Sequence, residues 1–109
     1  MEFVKVVEKK DLPTNSMVMV LVEGKEVLLA NVNSNYFAIA NKCTHLGGSL
    51  AKGSLAGNVV TCPRHGAQFD VTTGQAVGEA KIAFVKMKVN DEAAYEIKVD
   101  GEDILIKAS

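Results

Sequence analysis

Cysteine and histidine are among the scarce residues of this 109-residue chain: it has two of each. It also has little charge imbalance. Its formal net charge is −1, which leaves no basic footprint for nucleic acid and no basic amphipathic stretch for a membrane surface. Long apolar runs are missing too. The longest, Met17 to Val22, is strand-sized and far below the ~18 residues of a membrane span. The N-terminus, Met-Glu-Phe-Val-Lys, lacks the extended apolar region and small-residue cleavage site of a signal peptide, so the expected location is the cytoplasm. Proline occurs only twice, and no linker, repeat or low-complexity segment divides the sequence. One domain over residues 1–109 is expected.

What is present is ordinary for a globular protein: 48% hydrophobic and 23% charged residues. Short β-type runs alternate with turn signals. Strands are predicted over Phe3 to Val7, Met17 to Val22, Glu26 to Val32, Tyr36 to Ala40, Asn58 to Thr61 and Gln68 to Val71. Phe84 to Val89 alternates with period two. Tyr95 to Val99 and Asp103 to Lys107 flank the hairpin signal Asp100-Gly101. Residues 41–57 show no convincing period, and Ser49 to Gly53 and Ser54 to Gly57 read as successive tight turns. The predicted class is all-β, a small antiparallel sandwich or barrel-like stack of sheets. Seven of the nine glycines fall between Gly47 and Gly78, where backbone must turn sharply or approach something closely.

Both cysteines and both histidines lie in that same region. They form Cys43-Thr44-His45 and, sixteen residues on, Cys62-Pro63-Arg64-His65. Each pair follows a predicted strand, so each sits at a strand-to-loop exit, and two adjacent loops would converge four ligands on one point. Thiolate and imidazole both suit soft or borderline metals. A buried free Cys and a satisfied core His would require all four residues to coincide by chance. A Cys2His2 zinc site more often pairs Cys with Cys and His with His. Mixed pairs occur, however, and spacing alone leaves zinc open beside a 2Fe-2S cluster with Cys on one iron and His on the other.

The flanking residues carry a resemblance. Cys43-Thr44-His45-Leu46-Gly47 and Cys62-Pro63-Arg64-His65-Gly66, followed by Phe69-Asp70 and Thr73-Gly74, are similar to the two boxes of the Rieske family. The resemblance implies a 2Fe-2S cluster, one per chain, on two loops at one end of stacked sheets. Cys43 and Cys62 would hold one iron, and His45 and His65 the other through Nδ1. Two thiolates and two neutral imidazoles leave the oxidised site with zero net charge, so an electron enters more easily than at a four-thiolate site; Rieske centres span ~−150 to +300 mV against ~−400 mV.

High-potential members carry an extra disulfide, at positions that are Gly48 and Arg64 here. They also place Ser and Tyr hydroxyls at positions that are Ala67 and Phe69 here. With all four features absent, the low end of the range is expected. Members usually have a proline-containing cover loop after the Thr-Gly turn; Ala76 to Lys81 has no proline and reads as a loop variant.

The resemblance implies an electron carrier between a reductase, such as a flavoprotein, and a terminal acceptor such as an oxygenase. With both histidines used as ligands, none remains for a general base or a 2-His-1-carboxylate iron, so the chain is not expected to be an enzyme. Asp70 and Glu79 have no partner that would make an acid-base pair. Lys42 and Arg64 flank the site and either steer an acidic partner or are simply solvated; Leu46 is a shielding or contact residue. The alternatives are a fixed electron-transfer or regulatory subunit of a larger oxidoreductase, nitrite-reductase-like, and a structural zinc module.

Overall fold

The computed structural model describes residues 3–42, 49–63, 66–78, 80–82, 85–87 and 92–108. Within them the chain is antiparallel β-structure with two short 3-10 turns, Lys9–Asp11 and Leu50–Lys52. The strands are β1 (Phe3–Glu8), β2 (Ser16–Val22), β3 (Lys25–Val32), β4 (Asn35–Ala40), β5 (Ser54–Ala56), β6 (Val59–Thr61), β7 (Gln68–Asp70), β8 (Ala76–Gly78), β9 (Ala80–Ile82), β10 (Val85–Met87), β11 (Ala94–Tyr95), β12 (Ile97–Asp100) and β13 (Asp103–Lys107). They form a central sheet ordered β11-β4-β3-β2, a second sheet β5-β6-β7-β8, a terminal sheet β1-β13-β12 and the pair β9-β10. No helix among the described residues is long and apolar enough to cross a membrane.

The central sheet is a meander closed by tight turns. Glu23-Gly24 and Asn33-Ser34 have φ of 49°, 81°, 52° and 70°, the doubly positive pattern whose twist matches two-residue hairpins. Alternate residues of β3 enter opposite cores. Leu28, Ala30 and Val32 join Ile39, Leu50, Val60, Cys62, Ala67, Phe69 and Val71 on one face. Val27 and Leu29 join Val20, Val22, Ala38, Ile104 and Ile106 on the other. β3 is therefore covered on both faces, which explains its continuous apolar run where a half-wet strand would alternate. The terminal sheet closes the second core; β5-β6-β7-β8 closes the first.

The all-β expectation holds, with local corrections. Ser54 to Ala56 pairs with β6 as strand β5, where successive turns were expected; three residues are too few to show a period. Ala76 to Lys81, expected as a loop, contributes to two strands, with Gln68 opposite Gly78 and Phe69 opposite Ala76 across a bulge. Without proline, its amides are free to join a ladder. Tyr95 to Val99 is not one strand. Tyr95 pairs with Ala38 in the central sheet and Ile97 pairs with Ile106 in the terminal one, with Glu96 at the crossover. The last hairpin turns on Gly101-Glu102, since Asp100 already pairs with Asp103. Of the predicted strand over Phe84 to Val89, Phe84, Lys88 and Val89 lie outside the described residues.

Candidate metal centre

The two Cys/His boxes leave from the ends of β4 and β6, as their spacing suggested: β4 stops at Ala40 and β6 at Thr61. Cys43, His45 and His65 lie outside the described residues, together with Leu46, Gly48, Arg64 and Glu79. Cys62 is described, and with it the framework of both loops.

The second loop is the tip of the β6-β7 hairpin. Thr61 pairs with Gln68, and the Gln68 carboxamide donates to Thr61 Oγ1 at 3.3 Å. One step further, the Cys62 N–H donates to the Ala67 carbonyl at 2.7 Å, and the Gly66 N–H donates back to the Cys62 carbonyl at 3.3 Å. Gly66 has φ +77°, a left-handed conformation that costs other residues roughly 1 kcal/mol or more. Cys62 is 3% exposed and sits in the core with Leu50, Val60, Ala67 and Phe69. It is a free thiol. A buried cysteine at the mouth of a tight loop, with a histidine three residues on, fits the donor set of an iron-sulfur centre.

The first loop, residues 43–48, is closed at its base. Lys42 bridges Ser49 in antiparallel register. Beneath them Asn41, with no exposed surface, forms a polar hub. Its N–H donates to the Glu26 carbonyl at 3.1 Å, and its own carbonyl accepts from Leu50 at 2.9 Å. Its side-chain Nδ2 donates to Glu26 Oε1 at 3.0 Å and Ser49 Oγ at 2.9 Å, and Oδ1 accepts from the Ala51 N–H at 2.9 Å. Every hydrogen-bonding group of the side chain is used, as a buried amide requires.

The two loops are joined through Gly53. The first runs out through the 3-10 turn Leu50–Lys52 to Gly53, whose Cα lies against the carbonyl of Thr61 and the ring of Pro63. A Cβ built there would stand 1.9 Å from Thr61 O and 3.2 Å from Pro63 Cδ. Only glycine lets the exit of one loop seat against the strand that delivers Cys62. Neither Asn41 nor Gly53 stood out as a site residue in the sequence. The available signals were a lone Asn two residues before the first Cys and a Gly between the boxes.

Asp70, of the Phe-Asp pair, has a local role. Its Oδ1 accepts from the Thr72 hydroxyl at 2.6 Å and the Thr72 N–H at 2.9 Å, and the Thr73 and Gly74 amides donate to its carbonyl. The Thr72 hydroxyl, with smaller help from the Thr72 amide and Asn58, holds the carboxyl below its ordinary pKa against a partial desolvation. It caps the turn that carries β7 into β8.

Comparison with known proteins agrees with this framework. The family described as Rieske [2Fe-2S] domain matches residues 2–87. A naphthalene 1,2-dioxygenase system ferredoxin component from Pseudomonas aeruginosa is 32% identical over 99 residues, covering 91% of this chain and 88% of its own. The ferredoxin of carbazole 1,9a-dioxygenase from Nocardioides aromaticivorans IC177 superposes with a TM-score of 0.87 at 28% identity, covering 100% of both chains. A structure described as a complex of reduced oxygenase and oxidised ferredoxin in carbazole 1,9a-dioxygenase matches with a TM-score of 0.81 at 26% identity, over 95% of this chain and 91% of that one. With a family match over most of its length and ferredoxins of the same span as relatives, the chain belongs to the Rieske 2Fe-2S family.

Proposed function

We propose that this chain is a one-electron carrier of low-potential Rieske type, passing electrons between a reductase and a terminal acceptor such as an oxygenase. The observation that carries this reading is the joined pair of loops. Cys62 is buried at the mouth of one, the other is closed on Asn41, and Gly53 seats them together. The relatives' span supports a carrier in its own right, since the ferredoxin component from P. aeruginosa is matched over 88% of its length. Cys43, Cys62, His45 and His65 would hold a single 2Fe-2S cluster, two thiolates on one iron and two imidazoles on the other. When bound, the cluster supplies a site that takes up and releases one electron.

The residues of this chain tune that site by what they withhold. Ala67 and Phe69 are 1% and 0% exposed and share the core of Cys62. Neither has a hydroxyl to donate toward a cluster sulfur, so negative charge added on reduction is less stabilised. A potential of about −150 mV follows, the low end for Rieske centres. The single domain is read as 1–109, and the carrier is placed in the cytoplasm, where thiolate ligands stay reduced.

Visible and EPR spectra of the purified protein, with protein-film voltammetry, test this. A red-brown oxidised protein, a low-average-g signal on reduction and a potential below zero are expected, with Ala67→Ser raising the potential. A colourless, EPR-silent protein containing zinc would refute the carrier. A potential well above zero would refute the low-potential assignment.

A further inference from the structure

Charge is divided unequally along this nearly neutral chain. Residues 25–88 carry seven basic side chains against three acidic ones, and the remaining segments carry five against ten. The structure adds a second asymmetry, in pairing. Three of the five lysines on or beside the terminal sheet are matched with carboxylates, Lys5 with Asp103 at 3.2 Å, Lys10 with Glu8 at 3.4 Å and Lys107 with Glu96 at 3.2 Å; of the other two, Lys98 lies 5.9 Å over the Phe3 ring and Lys9 is half-buried. Lys25, Lys42 and Lys52 are exposed and form no ion pair with any described residue.

These three lie around the base of the first box. Lys25 and Lys42, with Gly24, Glu26, Ala40 and Tyr95, line an open groove at the end of the central sheet. Lys52 ends the 3-10 turn that follows the loop in sequence. The one carboxylate in the groove, Glu26, is already bonded to Asn41 at 3.0 Å. On the adjoining edge strand β2, Leu21 is 61% exposed and Met19 39%. Leu21 stands opposite Glu26 in the ladder, so this apolar strip adjoins the groove that Glu26 lines. Exposed apolar area next to uncompensated charge is what a transient docking surface needs: charge to steer the encounter and a dry contact to hold it.

We propose that this end of the central sheet, with Lys25, Lys42 and Lys52 as the charges and Met19 and Leu21 as the dry contact, docks the acidic face of a redox protein partner. The proposal rests on the electron-carrier reading.

The test uses the cluster-containing protein, reduced with dithionite and mixed in a stopped-flow instrument with oxidants of opposite charge. One electron leaves the protein and reduces ferricyanide, an anion, to ferrocyanide; in a separate series, it reduces tris(phenanthroline)cobalt(III), a cation, to its cobalt(II) form. The ferricyanide rate should fall about tenfold between about 0.02 and 0.5 M salt, while the cobalt rate stays level or rises. Replacing all three lysines (Lys25→Gln, Lys42→Gln and Lys52→Gln together) should cut the ferricyanide salt dependence to less than about threefold. The potential should be unchanged, and Lys5→Gln should behave as the parent. Poly-L-glutamate should slow the ferricyanide reaction of the parent and not of the triple variant. Full salt dependence in the triple variant, or a ferricyanide rate that rises with salt in the parent, overturns the docking surface. Failure of both oxidants to take an electron overturns the carrier reading itself.

Discussion

Replacing Gly53 by alanine tests whether the two loops are held as one unit. The added Cβ would lie 1.9 Å from the carbonyl oxygen of Thr61, whereas carbon and oxygen in close backbone contact rest about 3.3 Å apart. The contact must open by about 1.4 Å. The obstacle is main chain, fixed on both sides, because Thr61 pairs with Ser54 in β5 and with Gln68 in β7. Relief therefore moves the segment that delivers Cys62. Overpacking of this kind costs about 3 kcal/mol. With an unfolding entropy near 2.1 cal/mol/K per residue, a chain of 109 residues loses roughly 13 °C of melting temperature. A displacement above 1 Å also exceeds the ~0.5 Å tolerance of a preorganised site, so iron content should fall with stability. The assay is iron per chain and a melting curve of the purified variant, beside Gly57→Ala as control. Gly57 also has positive φ, at +61°, but its added Cβ meets nothing within 4 Å. The control should lose about 1 kcal/mol and keep its iron. Full iron in Gly53→Ala, with a melting temperature within about 3 °C of the parent, would refute the coupling.

Two further outcomes are expected. Asn41→Ala leaves the Ala51 N–H without its acceptor and removes both donations to Glu26 and Ser49. It should cost about 2–3 kcal/mol in urea denaturation and speed loss of visible absorbance in an iron chelator; an unchanged chelation rate would separate Asn41 from the loop. Asp70 has a lowered folded pKa, so its contribution is complete above the ordinary carboxylate value of 3.8 and is lost as pH falls through the lower folded value. Asp70→Ala should therefore be about 1 kcal/mol less stable at neutral pH, and the gap in urea midpoint should narrow between pH 5 and pH 3. A gap of constant size would assign its origin to packing.

The parts of the fold legible in the sequence were those set by local chemistry. Glu23-Gly24 and Asn33-Ser34 mark the central meander because left-handed backbone favours such residues, and the strands they join are long enough to show their character. Strands β5, β8 and β9 were not legible, because Ser-Leu-Ala, Ala-Val-Gly and Ala-Lys-Ile carry little β-propensity, unlike Val-Val-Thr of the equally short β6. The split at Glu96 was hidden for a different reason: Tyr95 and Ile97 look like one strand until their partners, Ala38 and Ile106, are known to belong to different sheets. The metal centre divides in the same way. Cys and His at fixed spacing are a chemical signature that needs no tertiary context. Asn41 acts through Glu26, fifteen residues earlier, and Gly53 through a carbonyl eight residues later. A carboxamide and a missing methyl group have no distinctive chemistry until the chain around them is in place.

The pairing of β1 with β13 brings Phe3 alongside Lys107. Both ends of the described chain thus leave from one sheet, which packs on the opposite face of the central sheet from the core that holds Cys62. A spacer, an immobilising tag or a fused reductase joined at either end would be anchored at the terminal sheet, across the central sheet from the core that holds Cys62. A library of fusions could then vary linker length alone to tune how often the carrier meets its acceptor.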